Sequence, residues 1–286
     1  PYTTLFRSVK RQKPKLLVIN ASAFSQGNWN LTDEVYLRKW IDNMPMSQNK
    51  LDTVKTIPKN INKDDEKVKD NISDTLYFPL EKYHGNWKDP EAVYTSFVTR
   101  AYMRLSGGGY LKGFYSKTGI TGGRDNLANI GQPTKEAYVL TDECRAYLKE
   151  LLSYCNKLGI EHVLLLQPPH ETQAADKSGL EQIESITKEY GYDFLDLSTD
   201  YESSVGIDDS HDFADFEHLN AYGVQKLSSY IGDMAVNQYG IKSDTAKSEL
   251  SRWKKSVKRT KKALKMAREY TDRGEAQVVG EYEAAK

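Results

Sequence analysis

Residues 160–167, with the sequence IEHVLLLQ, form a short and almost wholly apolar run between two helical patterns. The first pattern extends from about Thr141 to Lys157, and the second covers residues 178–190. Another strand pattern follows at residues 193–197. Strands that alternate with helices of this length belong to α/β folds, because each helix carries the chain back to start the next parallel strand. The sequence therefore predicts a parallel sheet.

The same organisation extends towards both ends of this domain. Residues 15–20 are a partly β-branched apolar run after a proline, which predicts a buried strand. Residues 220–238 carry apolar side chains at helical spacing and predict a closing helix that packs on the sheet. Residues 117–133 are rich in glycine and asparagine, so we expect a long loop there. The α/β domain is thus predicted to cover residues 14–240.

Basic charge is concentrated after this domain. The chain has 40 Lys or Arg and 40 Asp or Glu, but residues 241–286 hold 13 basic and 7 acidic residues, a net charge of +6. A C-terminal basic helix is predicted at residues 245–270, with a narrow apolar stripe. It either contacts an anionic membrane or wall polymer, or packs along the domain with a solvated basic face. Residues 274–286 are expected to fray, and nothing in the charge balance requires nucleic acid as a partner.

The cysteines and histidines indicate neither a disulfide nor a metal site. Cys144 and Cys155 lie on one predicted helix about three turns apart. That separation is too long for a disulfide, so both are predicted to be free thiols in the core. No two of the five histidines have metal-ligand spacing with acids or cysteines, and no glycine-rich phosphate loop is present. No cofactor is therefore expected.

Asp215 and His218 are the main candidates for chemistry. Their spacing places an acid and an imidazole one turn apart. A carboxylate that holds one ring nitrogen leaves the other free to act as a general base. The alternative is an aspartate that caps a helix beside a surface histidine. Two other histidines, His170 and His211, are expected to be bystanders because of their loop settings.

Ser22 is the candidate nucleophile. It follows the predicted strand at residues 15–20, and its small neighbours let the chain turn tightly at the carboxyl end of that strand. Ligands of open α/β sheets bind at this edge. A serine in such a place commonly caps a turn or a helix instead. The chain order Ser22, Asp215, His218 favours the catalytic interpretation.

Several short motifs between residues 14 and 238 carry a resemblance to a known family: Asn20-Ala21-Ser22, Met46-Ser47-Gln48-Asn49-Lys50, Tyr77-Phe78-Pro79-Leu80, Tyr83-His84-Gly85-Asn86-Trp87, Lys112-Gly113-Phe114 and residues 215–223. The chain resembles the SGNH (GDSL-like) hydrolases, in which a serine follows the first strand and Asp-x-x-His precedes the last helix. Within that superfamily it looks like the cell-surface SGNH-like proteins of Gram-positive bacteria. Those proteins are membrane-anchored relatives of proteins that acylate wall polymers and exopolysaccharides.

The resemblance implies a three-layer α/β/α sandwich with a parallel, flavodoxin-like sheet and a Ser-His-Asp triad. Ser22 would be the nucleophile, His218 the general base, and Asp215 the group that orients His218. Two departures weaken the match. Asn20-Ala21 replaces the Gly-Asp that usually precedes the serine, and Gln167-Pro168-Pro169-His170 stands where the family usually has an oxyanion-hole asparagine.

Five further residues are candidates for the oxyanion hole or for substrate binding. Asn86, Gly113 and Gln167 are candidate oxyanion donors, and the loss of one such donor typically costs about two to three orders of magnitude in rate. His84 and Trp87 belong to an aromatic cluster that either packs internally or provides a platform for a sugar ring.

These features predict a serine-dependent esterase or O-acyltransferase that acts on acylated carbohydrate or cell-wall polymer through an acyl-enzyme. The alternative is a catalytically impaired surface protein with the same fold, which binds glycan or a membrane-bound O-acyltransferase. The resemblance also implies an extracytoplasmic location at the cell surface. Residues 1–13 would then be a leader that follows an N-terminal membrane anchor.

Overall fold

The structure is a computed structural model of the chain. It describes residues 14–25, 38, 41–42, 44, 46–56, 76–78, 88–91, 93–94, 97–98, 101, 111, 114–120, 138–169, 177–215, 218–242, 247–280 and 283. The helices among these residues include α1 (Ser22–Ser25), α2 (Gln48–Thr56), α3 (Asp142–Lys157), α4 (Ser178–Glu189), α5 (Tyr201–Val205), α6 (Ala221–Asn237) and α7 (Lys247–Asp272). The strands are β1 (Leu16–Asn20), β2 (Ser116–Lys117), β3 (His162–Gln167), β4 (Asp193–Asp196), β5 (Phe213–Asp215), β6 (His218–Leu219) and β7 (Val278–Val279).

The predicted parallel sheet is confirmed. Strands β1, β3 and β4 form a three-stranded parallel sheet in the order β1-β3-β4. The middle strand is buried from Val163 to Gln167, as expected for a parallel strand that is covered on both faces. The helices α3 and α4 and the strands β3 and β4 begin and end within two residues of their predicted bounds. The protein is therefore a mixed α/β protein.

The chain divides into two compact units. The first consists of Pro1–Tyr94, Ala137–Leu165 and Asp176–Phe194, and the second of Thr95–Glu136, Leu166–Ala175 and Leu195–Lys286. The division falls within β3 and within β4. At least one apolar cluster lies within the described residues of each unit.

In the first unit, α3 packs with α1 and α4. Thr141 caps the start of α3, because its side chain accepts a hydrogen bond from the Cys144 amide at 3.2 Å. Such a bond satisfies one of the amides that every helix start leaves without a partner. The buried side chains of α3 recur at helical spacing, which turns one face of the helix towards the core: Cys144, Leu148, Leu151, Leu152 and Cys155.

The prediction of two buried thiols outside any disulfide is confirmed, since Cys144 and Cys155 are both buried and neither forms a disulfide. Burial raises the pKa of the Cys155 thiol to about 11. Burial also raises the pKa of the neighbouring Tyr192 to about 12, and its hydroxyl donates to the Ile160 carbonyl at 3.3 Å. Both groups are therefore held neutral in the folded protein at pH values where they ionise in an unfolded chain.

We expect the free energy of unfolding to fall as the pH rises above about 9. The unfolded chain loses its Cys155 proton near pH 9.0, whereas the folded protein keeps it to about pH 11. Between these values the unfolded state binds fewer protons, so alkali favours unfolding by up to about 2–3 kcal/mol. Urea midpoints measured between about pH 8 and 10 check this. Cys155→Ala should flatten the pH dependence, and parallel profiles for the variant and the parent chain would contradict the prediction.

Among the described residues of the second unit are two apolar clusters. The first joins Leu166, Leu197, Tyr201, Ile207 and Phe213. The second joins Leu111, Ala221, Ala263, Ala267 and Val279. Since Ala263 and Ala267 belong to α7, the C-terminal half of the basic helix is packed within this unit. Within the described ranges, no helix combines the length and the hydropathy that a membrane span requires.

The end of the described chain is ordered by strand pairing. In the antiparallel pair β2–β7, Ser116 lies opposite Val279 and Lys117 lies opposite Val278. The expectation of fraying is therefore wrong for residues 274–280, and the expected loop does not include Lys117. The reason is that a pair of two-residue strands has too few residues to show a periodic pattern in the sequence.

Candidate functional site

Asp215 and His218 face each other across a small hairpin. In the antiparallel pair β5–β6, Phe213 lies opposite Leu219 and Asp215 lies opposite His218, with an irregular register at Ala214. The pair was expected to lie one turn apart, but it consists of cross-strand neighbours instead. The extra residue at Ala214 is a β-bulge, a feature that commonly redirects a side chain beside a functional site.

The hairpin brings the carboxylate and the imidazole into hydrogen-bonding contact. Asp215 Oδ1 lies 2.7 Å from His218 Nδ1. The two side chains are 34% and 40% exposed, so reactants can reach the ring from solvent. When Nδ1 donates to the carboxylate, the lone pair is on Nε2, which is the arrangement that a general base requires. The structure thus brings together two of the three residues of the predicted triad.

Lys117 also contacts both members of this pair. Its Nζ lies 2.9 Å from Asp215 Oδ2 and 3.1 Å from His218 Nδ1. An ammonium group has donors only, and Nδ1 cannot donate to Asp215 and accept from Lys117 in the same tautomer. The shorter contact with Asp215 favours donation from Nδ1 to Oδ1, with Lys117 donating to Oδ2. Lys117 then fixes the carboxylate in the orientation that holds the ring.

Asn220 holds the hairpin against its neighbours. Its side-chain oxygen accepts hydrogen bonds from the Tyr222 and Gly223 amides and so caps α6. Its Nδ2 donates to the Gly119 carbonyl at 3.2 Å and to the His211 carbonyl at 2.6 Å. A fully buried amide that uses its donors and its acceptor in this way ties together three backbone segments, at residues 119, 211 and 222–223.

The segment that carries Lys117 is held by hydrogen bonds to residues 275–279. The Thr118 amide donates to the Gln277 carbonyl at 2.9 Å, and the Gln277 amide donates to Thr118 Oγ1 at 2.7 Å. Thr118 Oγ1 in turn donates to the Glu275 carbonyl at 2.5 Å. These bonds and the β2–β7 pair form a clamp between residues 116–118 and residues 275–279.

A second histidine–aspartate pair lies close by in the chain. His211 Nδ1 is 3.0 Å from Asp212 Oδ1. Asp212 is fully buried, and its Oδ2 accepts from Lys226 Nζ at 2.6 Å and from the Asp208 amide at 2.8 Å. The His211 ring packs edge-on against Tyr222, with ring centroids 4.6 Å apart. These contacts are those of a structural pair, so His211 remains the expected bystander.

Ser22 is the first residue of α1, directly after β1 and Ala21. Its exposed fraction is 8%. The Ser22 amide donates to Asn20 Oδ1 at 2.8 Å. An amide that is bonded in this way does not point to an oxyanion unless the Asn20 side chain moves. Ser22 belongs to the first unit, whereas Asp215 and His218 belong to the second, so its pairing with His218 stays a prediction.

Of the five remaining site candidates, only Gln167 is described. It is the last residue of β3 and is fully buried, and its backbone carbonyl accepts from the Leu197 amide at 3.0 Å. The other four lie outside the described residues: His84, Asn86, Trp87 and Gly113. In the part of the chain that is described, no group of three or more His, Cys, Asp or Glu side chains is placed to hold a metal ion.

No family model matches this chain, and no curated protein or solved structure is significantly similar to it. The functional proposal therefore depends on the geometry described above and on the motifs in the sequence.

A shallow cleft lies along α6 and α7 in the second unit. Its volume is about 460 Å³, and its walls include Tyr222, Gln225 and Arg268. None of its lining residues is Lys117, Asp215 or His218. The cleft is therefore not the binding pocket of the histidine–aspartate pair.

Lys117 is the site residue that the sequence interpretation missed. It lies 98 residues before Asp215 in the chain and reaches the pair from a two-residue strand. The only related signal was the motif Lys112-Gly113-Phe114, which ends three residues before it. That motif marks the segment without identifying the lysine.

Proposed function

We propose that this chain is a serine-dependent ester hydrolase or O-acyltransferase with the three-layer α/β/α fold of the SGNH hydrolases. Its proposed substrates are acylated carbohydrate or cell-wall polymer. The observation that carries the proposal is the 2.7 Å contact between Asp215 and His218, which leaves Nε2 available as a base. The parallel sheet and the position of Ser22 just beyond β1 also support it.

In the proposed reaction, Ser22 Oγ attacks the carbonyl carbon of the ester while His218 Nε2 takes the hydroxyl proton. Asp215 stabilises the imidazolium that forms. The intermediate then collapses, the C–O bond to the alcohol breaks, and the alcohol leaves with the proton from His218. Water or a sugar hydroxyl then attacks the acyl-serine while His218 Nε2 takes its proton. His218 returns this proton to Ser22 Oγ as the bond between the serine oxygen and the acyl carbon breaks. The products are an acid or a new ester, and Ser22 is restored.

The proposed setting is the cell surface, with a membrane-bound O-acyltransferase as a proposed partner. The motif resemblance supports this setting. A second candidate function is a catalytically impaired protein with the same fold that binds glycan or that partner. The observation that favours it is the Ser22 amide, which donates to Asn20 Oδ1 where an active enzyme needs an oxyanion donor.

Labelling with a fluorophosphonate probe tests the catalytic proposal. An activated serine attacks the phosphorus atom and displaces fluoride, so we expect a stable adduct at Ser22, located by peptide mass spectrometry. Ser22→Ala should abolish the labelling, whereas Ser25→Ala, in the same short helix, should retain it. His218→Ala should slow the labelling about 10²-fold or more, because the base that activates Ser22 is lost.

The outcome also separates the two candidate functions. A parent chain that does not label would favour the binding protein. An adduct whose rate of formation is the same in His218→Ala would show that Ser22 is not activated by His218, and it would contradict the proposed triad.

A further inference from the structure

The two halves of α7 have different surroundings. In the C-terminal half, Ala263 and Ala267 are fully buried in the second apolar cluster. The Tyr222 hydroxyl donates to Asp272 Oδ1 at 2.8 Å, and the Arg268 guanidinium lies 4.9 Å from the centroid of the Tyr222 ring. This half is therefore fixed against α6, which also fixes the direction in which the rest of the helix faces.

The N-terminal half of α7 presents apolar side chains to solvent. Leu250, Trp253 and Val257 are 42%, 47% and 49% exposed. Their spacing of three and four residues places them in one stripe along the helix. Single exposed apolar residues are ordinary on protein surfaces, but a stripe that includes a tryptophan indicates a surface that binds something.

Lysines lie directly beside this stripe. Lys254, Lys258 and Lys261 are exposed and recur at spacings of four and three residues. Lys254 is four residues after Leu250, and Lys261 is four residues after Val257, so basic and apolar side chains are neighbours on the surface. From Lys247 to Lys265 the helix has nine basic residues and one acidic residue, a net charge of +8.

We propose that this half of α7 binds the surface of an anionic lipid bilayer. The stripe of Leu250, Trp253 and Val257 would enter the interfacial region while the lysine ammonium groups contact lipid phosphates. Such a bilayer offers both an apolar layer and a layer of negative charge, whereas an apolar protein groove would leave a net charge of +8 without partners. Tryptophan at the boundary and lysine stems that extend along apolar surface fit this environment. The proposal goes beyond the ester chemistry and does not depend on it.

Vesicle co-sedimentation of the full chain tests this proposal. We expect binding to phosphatidylcholine vesicles that contain about 30 mol % phosphatidylglycerol, and little binding to phosphatidylcholine alone. The binding should weaken strongly between about 0.1 M and 0.5 M NaCl. Replacing the three lysines together (Lys254→Gln, Lys258→Gln and Lys261→Gln) should weaken it about a hundredfold. The double variant Trp253→Gln and Val257→Gln should weaken it about tenfold or more.

Matched substitutions elsewhere serve as controls. Val236→Gln removes an exposed apolar side chain from α6, and Lys149→Gln removes an exposed lysine from α3. Both should bind vesicles like the parent chain. Absence of binding to the anionic vesicles would overturn the proposal. Equal binding by the Trp253 and Val257 double variant, together with equal binding of both chains to soluble polyphosphate, would also overturn it, because the face would then recognise polyanions without entering a bilayer.

Discussion

Replacing His218 with alanine is expected to lower the turnover of p-nitrophenyl acetate by about 10²–10⁴-fold. The physical reason is that Nε2 of this ring is the only proposed acceptor for the proton of Ser22. The Asp215 contact at 2.7 Å holds the ring in the required tautomer. Steady-state rates for the parent chain and for His218→Ala, both corrected for the rate in buffer, check the prediction.

His211 provides a matched control for this experiment. Its ring is 42% exposed, close to the 40% of His218, and it also contacts an aspartate through Nδ1. An exposed imidazole can hydrolyse an activated ester without any triad, and His211→Ala measures that contribution. We expect His211→Ala to retain the parent rate within a few-fold. Equal losses in the two variants would remove the special role assigned to His218.

Gly223→Ala is expected to destabilise the second unit by about 3 kcal/mol. A Cβ atom at this position would lie 2.5 Å from the Asp212 carbonyl oxygen and 2.9 Å from Leu219 Cδ2. The Asp212 carbonyl accepts from the Asn220 amide at 2.9 Å, so a shift of this backbone also disturbs the cap of α6. Urea unfolding followed by far-UV circular dichroism measures the loss.

Gly232→Ala is the control, because this glycine lies in the same helix with no atom within 4 Å of the added Cβ. Alanine is the better helix former, so Gly232→Ala should stabilise the protein by about 1 kcal/mol. The change in the free energy of unfolding is therefore expected to have opposite signs for the two substitutions. Changes of the same sign in the free energy of unfolding would show that the close approach of Gly223 to Asp212 is not an energetic constraint.

The regular part of the fold was predictable from the sequence because its elements are long enough to show a period. The bounds of α3, α4, β3 and β4 all followed from the apolar spacing of the chain. The closing helix α6 and the long helix α7 were also predicted within two residues of their ends. In these segments local preference and tertiary packing favour the same structure.

The candidate site was predictable only in part. The spacing of Asp215 and His218 identified the pair, but it did not show that the two residues are cross-strand neighbours. Lys117 was missed because its contact depends on pairing between short strands far apart in the chain, which no local pattern records. The motif Asn20-Ala21-Ser22 likewise did not predict the hydrogen bond from the Ser22 amide to Asn20 Oδ1.

The clamp between residues 116–118 and residues 275–279 sets an order of events during biosynthesis. Thr118 and Gln277 are 159 residues apart, so a ribosome must extend the chain from Thr118 to Val279 before the segment that carries Lys117 gains its partner strand. Contacts of such long range form late, because a large loop must close before any hydrogen bond compensates for it. A nascent chain therefore contains Asp215 and His218 long before it contains the strand that secures Lys117 beside them.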